Sequence, residues 1–173
     1  MITIRKAQLR DAENLSRLAE QTFRDTFAAT NTAADMDLHA LKHYSIAIQT
    51  QEIGNPGVHT LVCEAGDALI AFAQLRWDAT EACVVGGVPA EIQRFYVAHG
   101  YHGRGIAQNM MEACLAAIRE HGADVAWLGV WEHNPRAIAF YQKFGFVAVG
   151  EHVFAVGTDP QRDLVMSRPV GAV

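Results

Sequence analysis

Apolar and polar residues alternate over Ile2 to Ala7, "ITIRKA", the period of a half-buried strand. The period then lengthens. Leu15, Leu18, Ala19, Thr22 and Phe23 share one face of a helix that Asp11 can cap and that runs to about Phe27. A second helix is predicted over roughly Asp35 to Ile53, stopped by "GNPG". "HTLVCEAGDALIAFAQLRW" reads as two strands joined around Gly66 and Asp67, a hairpin. Thr80 to Ala90 is expected as loop and Glu91 to Val97, "EIQRFYV", as strand. From Gly105 the stripe Ala107, Met110, Met111, Cys114, Leu115 and Ile118 returns to the helical period, with Gly122 as a C′ stop. "VAWLGVW", Val125 to Trp131, is a buried type of strand. Asn134 and Pro135 supply the cap and first position of a helix ending near Phe144 and Gly145. Two weaker strands, near Phe146 to Gly150 and near Asp163 to Ser167, close the chain.

Composition narrows what this alternation of strands and helices can be. With 173 residues and no linker or repeat, residues 1–173 read as one mixed α/β domain. The formal net charge of −5, without a Lys/Arg-rich run, argues against nucleic acid as the partner. No apolar run approaches membrane-spanning length, and "MITIRKAQLRDAENL" lacks the pattern of a signal peptide. Cys63, Cys83 and Cys114 are odd in number and widely spaced, which suggests neither a disulfide framework nor a zinc knuckle. A cytoplasmic protein with reduced thiols, no membrane partner and no metal is the expectation.

Candidate chemistry gathers at "YHGRGIAQ", where Gly100, Gly103 and Gly105 lie between a strand and a helix. Free backbone N–H groups and the positive end of a helix dipole bind anions in that arrangement. The dinucleotide pattern GxGxxG fails because Gln108 stands where the third glycine belongs. The Walker pattern fails because no Lys-Ser or Lys-Thr follows Gly105. On these residues alone a tight turn is as good a reading as a phosphate clamp.

The surroundings break the tie. "RFYVAHGYHGRGIAQNMMEACLAAI" followed by "LGVWEHNPRAIAFYQKFGF" resembles the acetyl-CoA signature of the GNAT N-acetyltransferase superfamily. The family pattern [Q/R]-x-x-G-x-[G/A] falls on His102, Gly105 and Ala107, with histidine where Gln or Arg is usual. "TFRDTFAATNTAADM" and "EHVFAVGTDPQRDLVM" resemble the bacterial spermidine/spermine N-acetyltransferase (PaiA-like) group within it. The resemblance implies a GNAT fold of the α/β (α+β) class. It has a mixed, mostly antiparallel sheet of about six to seven strands, splayed between the fourth and fifth, flanked by about four helices. Acetyl-CoA would be the cofactor and a small-molecule amine, a polyamine first, the acceptor; relatives of this kind are often homodimers.

Site residues follow from the same resemblance. His102, Gly103, Arg104, Gly105, Ile106, Ala107 and Gln108 would hold the pyrophosphate, and Phe95, Tyr96 and Val97 would pair with the pantetheine arm. Asn134 would hydrogen-bond that arm, and Tyr141, in the match to "N-x-x-A-x-x-F-Y", would protonate the departing thiolate. Tyr141 also falls on an apolar face with Ala137, Ile138 and Phe144, where a tyrosine is often plain core. Glu91 is the candidate base, directly or through water, since an amine of pKa near 10 must lose a proton; an exposed strand-end glutamate is an equal alternative. His39 and His43 at i, i+4 read as a helix face, because Ala40 follows where a zincin has Glu. His133 and His152 could line an amine pocket. Asp35, Asp37 and Glu52 could meet a polycation or simply cap and solvate the front helices. A different acceptor amine and a CoA-binding module without catalysis stand as competing readings.

Overall fold

The computed structural model describes residues 1–171. Its strands are β1 (Ile2–Lys6), β2 (Val58–Ala65), β3 (Ala68–Trp77), β4 (Pro89–Val97), β5 (Val125–Trp131), β6 (Val147–Val156) and β7 (Asp159–Pro169). Its α-helices are α1 (Ala12–Phe27), α2 (Ala33–Tyr44), α3 (Ile46–Gly54), α4 (Ile106–His121) and α5 (Pro135–Lys143). The strands form one seven-stranded sheet in the order β1-β2-β3-β4-β5-β7-β6, antiparallel throughout except where β4 meets β5. Among the described residues no helix is long and apolar enough to cross a membrane.

Helices cover both faces of the sheet, and the period-2 alternation of each strand decides which core a side chain joins. On the front face Leu15, Ala19, Phe23, Met36 and Tyr44 of α1 and α2 pack on Val62 and Phe72. On the back face Met110, Met111, Cys114 and Ile118 of α4 pack on Ala71, Leu75, Ile92 and Leu128. The hairpin around Gly66, the stripe of α4, its left-handed Gly122 stop and the bounds of β5 follow the sequence pattern.

Four local expectations need revision. The helix expected over Asp35 to Ile53 is two helices: Ser45 takes extended backbone (ψ 153°) and its hydroxyl accepts from the Ile48 N–H, starting α3 afresh. Asp11 does not cap α1 with its side chain; it accepts from the Gln8 N–H and is clasped by Arg5 at 2.7 Å. β4 begins two residues early, because Pro89 and Ala90 pair with Val125 and Ala126. β6 and β7 are twice the expected length. They form a long hairpin whose outer strand mixes exposed valines with polar residues and so carries little periodicity.

The divergence of β4 from β5 positions the site. β4 pairs with β5 only at Pro89, Ala90 and Glu91, yet β4 stays on β3 as far as Val97 and β5 stays on β7 as far as Trp131. Beyond Glu91 the two parallel strands diverge. A bulge sits at the point of divergence: Gln74 faces Arg94 while Leu75 faces Ile92, leaving Gln93 as the extra residue. An extra residue bends its strand and tightens its twist, which swings β4 away from β5. A buried network holds the bend. Arg94 pairs with Glu52 of α3 at 2.7 Å and with Gln74, Gln74 also reaches Glu52, and Arg76 spans from Glu52 to Gln93.

Candidate active site

The gap exposes backbone that a sheet would normally consume. The Ala98 N–H bonds to Ile70 on β3. By alternation Tyr96 and Arg94 also turn their backbone groups toward β3, so those of Phe95 and Val97 point into the gap. Unpaired backbone of this kind accepts an extended amide-bearing chain as a further strand would. Tyr96, expected beside Phe95 and Val97 in that pairing, instead reaches the gap with its side chain.

A turn and helix close the upper end of the gap. Residues His99–Tyr101 make a single 3-10 turn, and Gly103 and Gly105 then take left-handed backbone, φ 75° and 77°. A side chain is strained at either position. Gly105 is the N-cap of α4 and offers no side-chain cap, and the first helical bond runs from the Asn109 N–H to the Gly105 carbonyl. The N–H groups of Ile106, Ala107 and Gln108 are therefore free of helical partners and lie at the positive end of a sixteen-residue helix. Free N–H groups at the positive end of a helix can bind an anion. The side chain of Ile106 is buried in the back core, so only its backbone can serve. Arg104 lies over the Tyr101 ring at 5.3 Å, out in the loop.

His102, the irregular residue of the loop motif, has a structural task. Its Nε2 lies 2.8 Å from the Val97 carbonyl, the last acceptor on the open edge of β4, and its Nδ1 lies 3.2 Å from Arg136 of α5. Since a carbonyl only accepts and a guanidinium only donates, Nε2 carries the proton and Nδ1 receives Arg136. The ring thus closes the end of one wall and draws a cation from the other. Arg136 went unnoticed in the sequence, where nothing distinguishes it from a solvated helix-start arginine.

These elements enclose a cavity of about 510 Å³ that passes through the gap from back to front. Its back half is walled by Phe95, Ala107, Asn134, Ala137, Phe140 and Tyr141, with Arg136 and His102 at the top. A shallower concavity bordered by Gln108, Arg136, Phe140 and Lys143 adjoins it between α4 and α5. The front half is walled by Thr22 and Phe27 of α1, with Tyr96, Trp131, Phe154 and Asp163 from the sheet. Tyr141 is 8 % exposed, packed edge-on against Phe95 and Phe146, and its hydroxyl makes no hydrogen bond among the described residues. Burial holds that phenol well above the ordinary tyrosine value, so it is protonated at neutral pH. Asn134 spends its Oδ1 on the Ala137 N–H, as the cap of α5, and leaves its Nδ2 for the cavity.

The remaining candidates separate cleanly. Glu91 lies on the last rung where β4 and β5 still pair, not on the cavity wall. Burial raises its carboxyl and the charge of Arg76 partly offsets this. His133 borders the cavity. His152 is gripped between Asp163 and Glu81, which raise it to about 9. His39 is stacked on Phe23 at 4.1 Å and burial lowers it to about 4. Asp35 binds Thr158 and Thr32, Asp37 pairs with Arg24, and Glu52 belongs to the network behind the bulge. All three acids are engaged by neighbouring groups of the fold, and none borders the cavity.

Known proteins are similar to this chain in sequence and in fold. Residues 16–146 match the model of the acetyltransferase (GNAT) family. An uncharacterized N-acetyltransferase in the pepI 3′ region of Lactobacillus delbrueckii subsp. lactis is 30% identical over 159 residues, 92% of either chain. The spermine/spermidine N(1)-acetyltransferase of Bacillus subtilis is 33% identical over 61 residues, 35% of this chain and 40% of that one. Among solved structures, PaiA N-acetyltransferase from Thermoplasma acidophilum, in complex with coenzyme A, superposes with a TM-score of 0.78 at 22% identity, over 98% of this chain and 99% of that one. This chain thus belongs to the GNAT family of acetyl-CoA-dependent N-acetyltransferases.

Proposed function

We propose that the chain moves the acetyl group of acetyl-CoA onto a primary amine by direct attack within a ternary complex, with a polyamine as acceptor. The observation that carries this reading is the divergence of β4 from β5, which opens an unpaired backbone edge next to an uncapped helix start and a buried tyrosine. The residues present fit the cofactor. The free N–H groups at Ile106 to Gln108 and the turn at Gly103 and Gly105 suit the pyrophosphate, with Arg136 beside them. The open backbone of Phe95 and the free N–H of Val97 suit the amides of the pantetheine arm, and Asn134 adds a donor to it.

Acetyl-CoA supplies the thioester carbon that the amine attacks. The chain's own groups manage the protons and the developing charge. Solvent in the gap takes the proton from the ammonium, and Glu91, off the cavity wall with its carboxyl raised by burial, serves only as the remote end of that water chain. A gap-facing N–H of β4 donates to the oxygen that becomes negative. Tyr141 gives its proton to the sulfur as the carbon–sulfur bond breaks. Reference values make that transfer uphill by roughly 2 kcal/mol. Apolar surroundings penalise a thiolate as they penalise the phenolate, so burial acts on both sides of the transfer.

The acceptor class is supported by the resemblance of two stretches to the spermidine/spermine group, by the partial match to the Bacillus subtilis enzyme, and by carboxylates on the front half of the cavity. A thiol-release assay with acetyl-CoA across polyamines, amino acids, aminoglycosides and peptide amino termini tests it. Release that depends on spermidine or spermine is expected. Release only with another amine would move the acceptor class, and release with none would remove the catalytic reading.

A further inference from the structure

The front half of the cavity holds a carboxylate with an unmet valence. Asp163 of β7 stands opposite Trp131 on one side and His152 on the other, and it borders the cavity with 7 % of its surface exposed. Its Oδ2 faces the His152 ring at 3.9 Å, while its Oδ1 is enclosed and has no hydrogen-bond partner. An unpaired oxygen on a buried carboxylate is costly, and native structures rarely leave one without a purpose. Only a glycine fits against it on β5. Gly129 lies in the splayed part of β5, and a methyl there would come within 3.1 Å of Asp163 Oδ2 and 2.8 Å of His152 Nε2.

We infer that Asp163 receives a positive charge of the acceptor that does not react, so that the site selects amines carrying a second cationic group. This rests on the amine-acetyltransferase reading above and deepens it. The reacting nitrogen must shed its proton before it attacks and so cannot stay charged against a buried carboxylate. A second ammonium keeps its charge throughout and pairs with the Asp163 carboxylate where it borders the cavity, from binding to product release. The local charge suits this. His152 is protonated between Glu81 and Asp163, which leaves the three groups together with one net negative charge. Asp25, exposed at the rim, adds another on the way in. Phe27, Trp131 and Phe154 offer aromatic surface to the methylene chain and to its cation. The opposite half of the cavity carries Arg136 and would repel such a group.

The test compares 1,4-diaminobutane with butylamine, which present the same reacting amine on the same chain with and without a second charge. The intact protein should favour the diamine in kcat/KM by about tenfold to a hundredfold, the worth of one charge-assisted hydrogen bond. Asp163→Asn should bring the two amines to near parity through the KM of the diamine, with acetyl-CoA affinity by calorimetry unchanged. Gly129→Ala, which pushes a methyl at the same carboxylate, should lower the preference in the same direction and serves if Asp163→Asn does not fold. Equal use of both amines by the intact protein, or a preference kept in both variants, overturns the inference while leaving amine acetylation standing. If no amine supports thiol release, calorimetry of 1,4-diaminobutane on CoA-saturated protein decides. Binding lost in Asp163→Asn supports the inference, and no binding or unchanged binding overturns it.

Discussion

The back and front halves of the cavity meet at the β4–β5 gap but are built in different ways. The back half is made from consecutive chain: the end of β4, the glycine turn, the first turn of α4, and then the start of α5. Its recognition groups are mostly backbone N–H and C=O, available because a strand pairing stops and a helix start is left uncapped. The front half is made from single side chains on α1, β4, β5, β6 and β7, separated by more than a hundred residues. A site that must hold one invariant cofactor can be written as a local motif. A site that chooses an acceptor is assembled from whatever side chains the fold brings to one surface, and it can be changed one residue at a time. The charges divide the same way, with Arg136 behind and Asp163 and Asp25 in front.

The largest effect is expected where the two halves meet. Tyr141→Phe keeps the ring and its packing and removes only the proton, so kcat should fall by about a hundredfold or more while acetyl-CoA affinity holds. Stopped turnover with intact cofactor binding would place Tyr141 with the chemistry, whereas unchanged turnover would return it to the core.

On the front side, His152 tests whether the acidic cluster is organised in the folded state. Its folded value of about 9 lies above the unfolded value of 6.5. Its contribution to stability is therefore fully present below pH 6.5 and is lost as pH rises through 9, on the order of 2–3 kcal/mol. Urea unfolding of the native protein should show that decline between pH 6 and pH 9.5, and His152→Gln should flatten it. An equal decline in both proteins would assign the pH dependence to other groups.

The smallest expected effect is on the back side. His102→Gln replaces the ring by the residue usual in the family motif, and glutamine can still donate to the Val97 carbonyl and accept from Arg136. Acetyl-CoA affinity should change by no more than about threefold, within the few tenths of a kcal/mol of an exposed hydrogen bond. His102→Ala, which frees both partners, should weaken it further and leave the diamine preference untouched.

The reading of particular residues shows where sequence pattern stops being informative. The stripe of α4 and the glycine turn were legible because a helix period and a left-handed turn are local requirements, met by residues a few positions apart. The break at Ser45 was not, because a serine inside an apolar period can either continue a helix or cap a new one, and packing of α3 beside Glu52 and Arg94 decides. Glu91 was chosen as an acid next to the expected gap, yet the bulge at Gln93 starts the divergence just after it and leaves it on the last paired rung. Asp163 and Arg136 gave no signal at all: each is a common residue at a common place.

The amino-acid sequence by itself determined most of the strands and helices, the glycine turn before α4, and the family. These rest on periodicity, turn stereochemistry and free helix-start amides, which depend on near neighbours in the chain. Only the tertiary structure decided where β4 leaves β5, which backbone groups stay unpaired, what His102 holds, and that a carboxylate on β7 stands beside a glycine on β5 with one oxygen unmatched. Those depend on register and burial across strands distant in sequence, and on the low dielectric that makes an unpartnered charge significant.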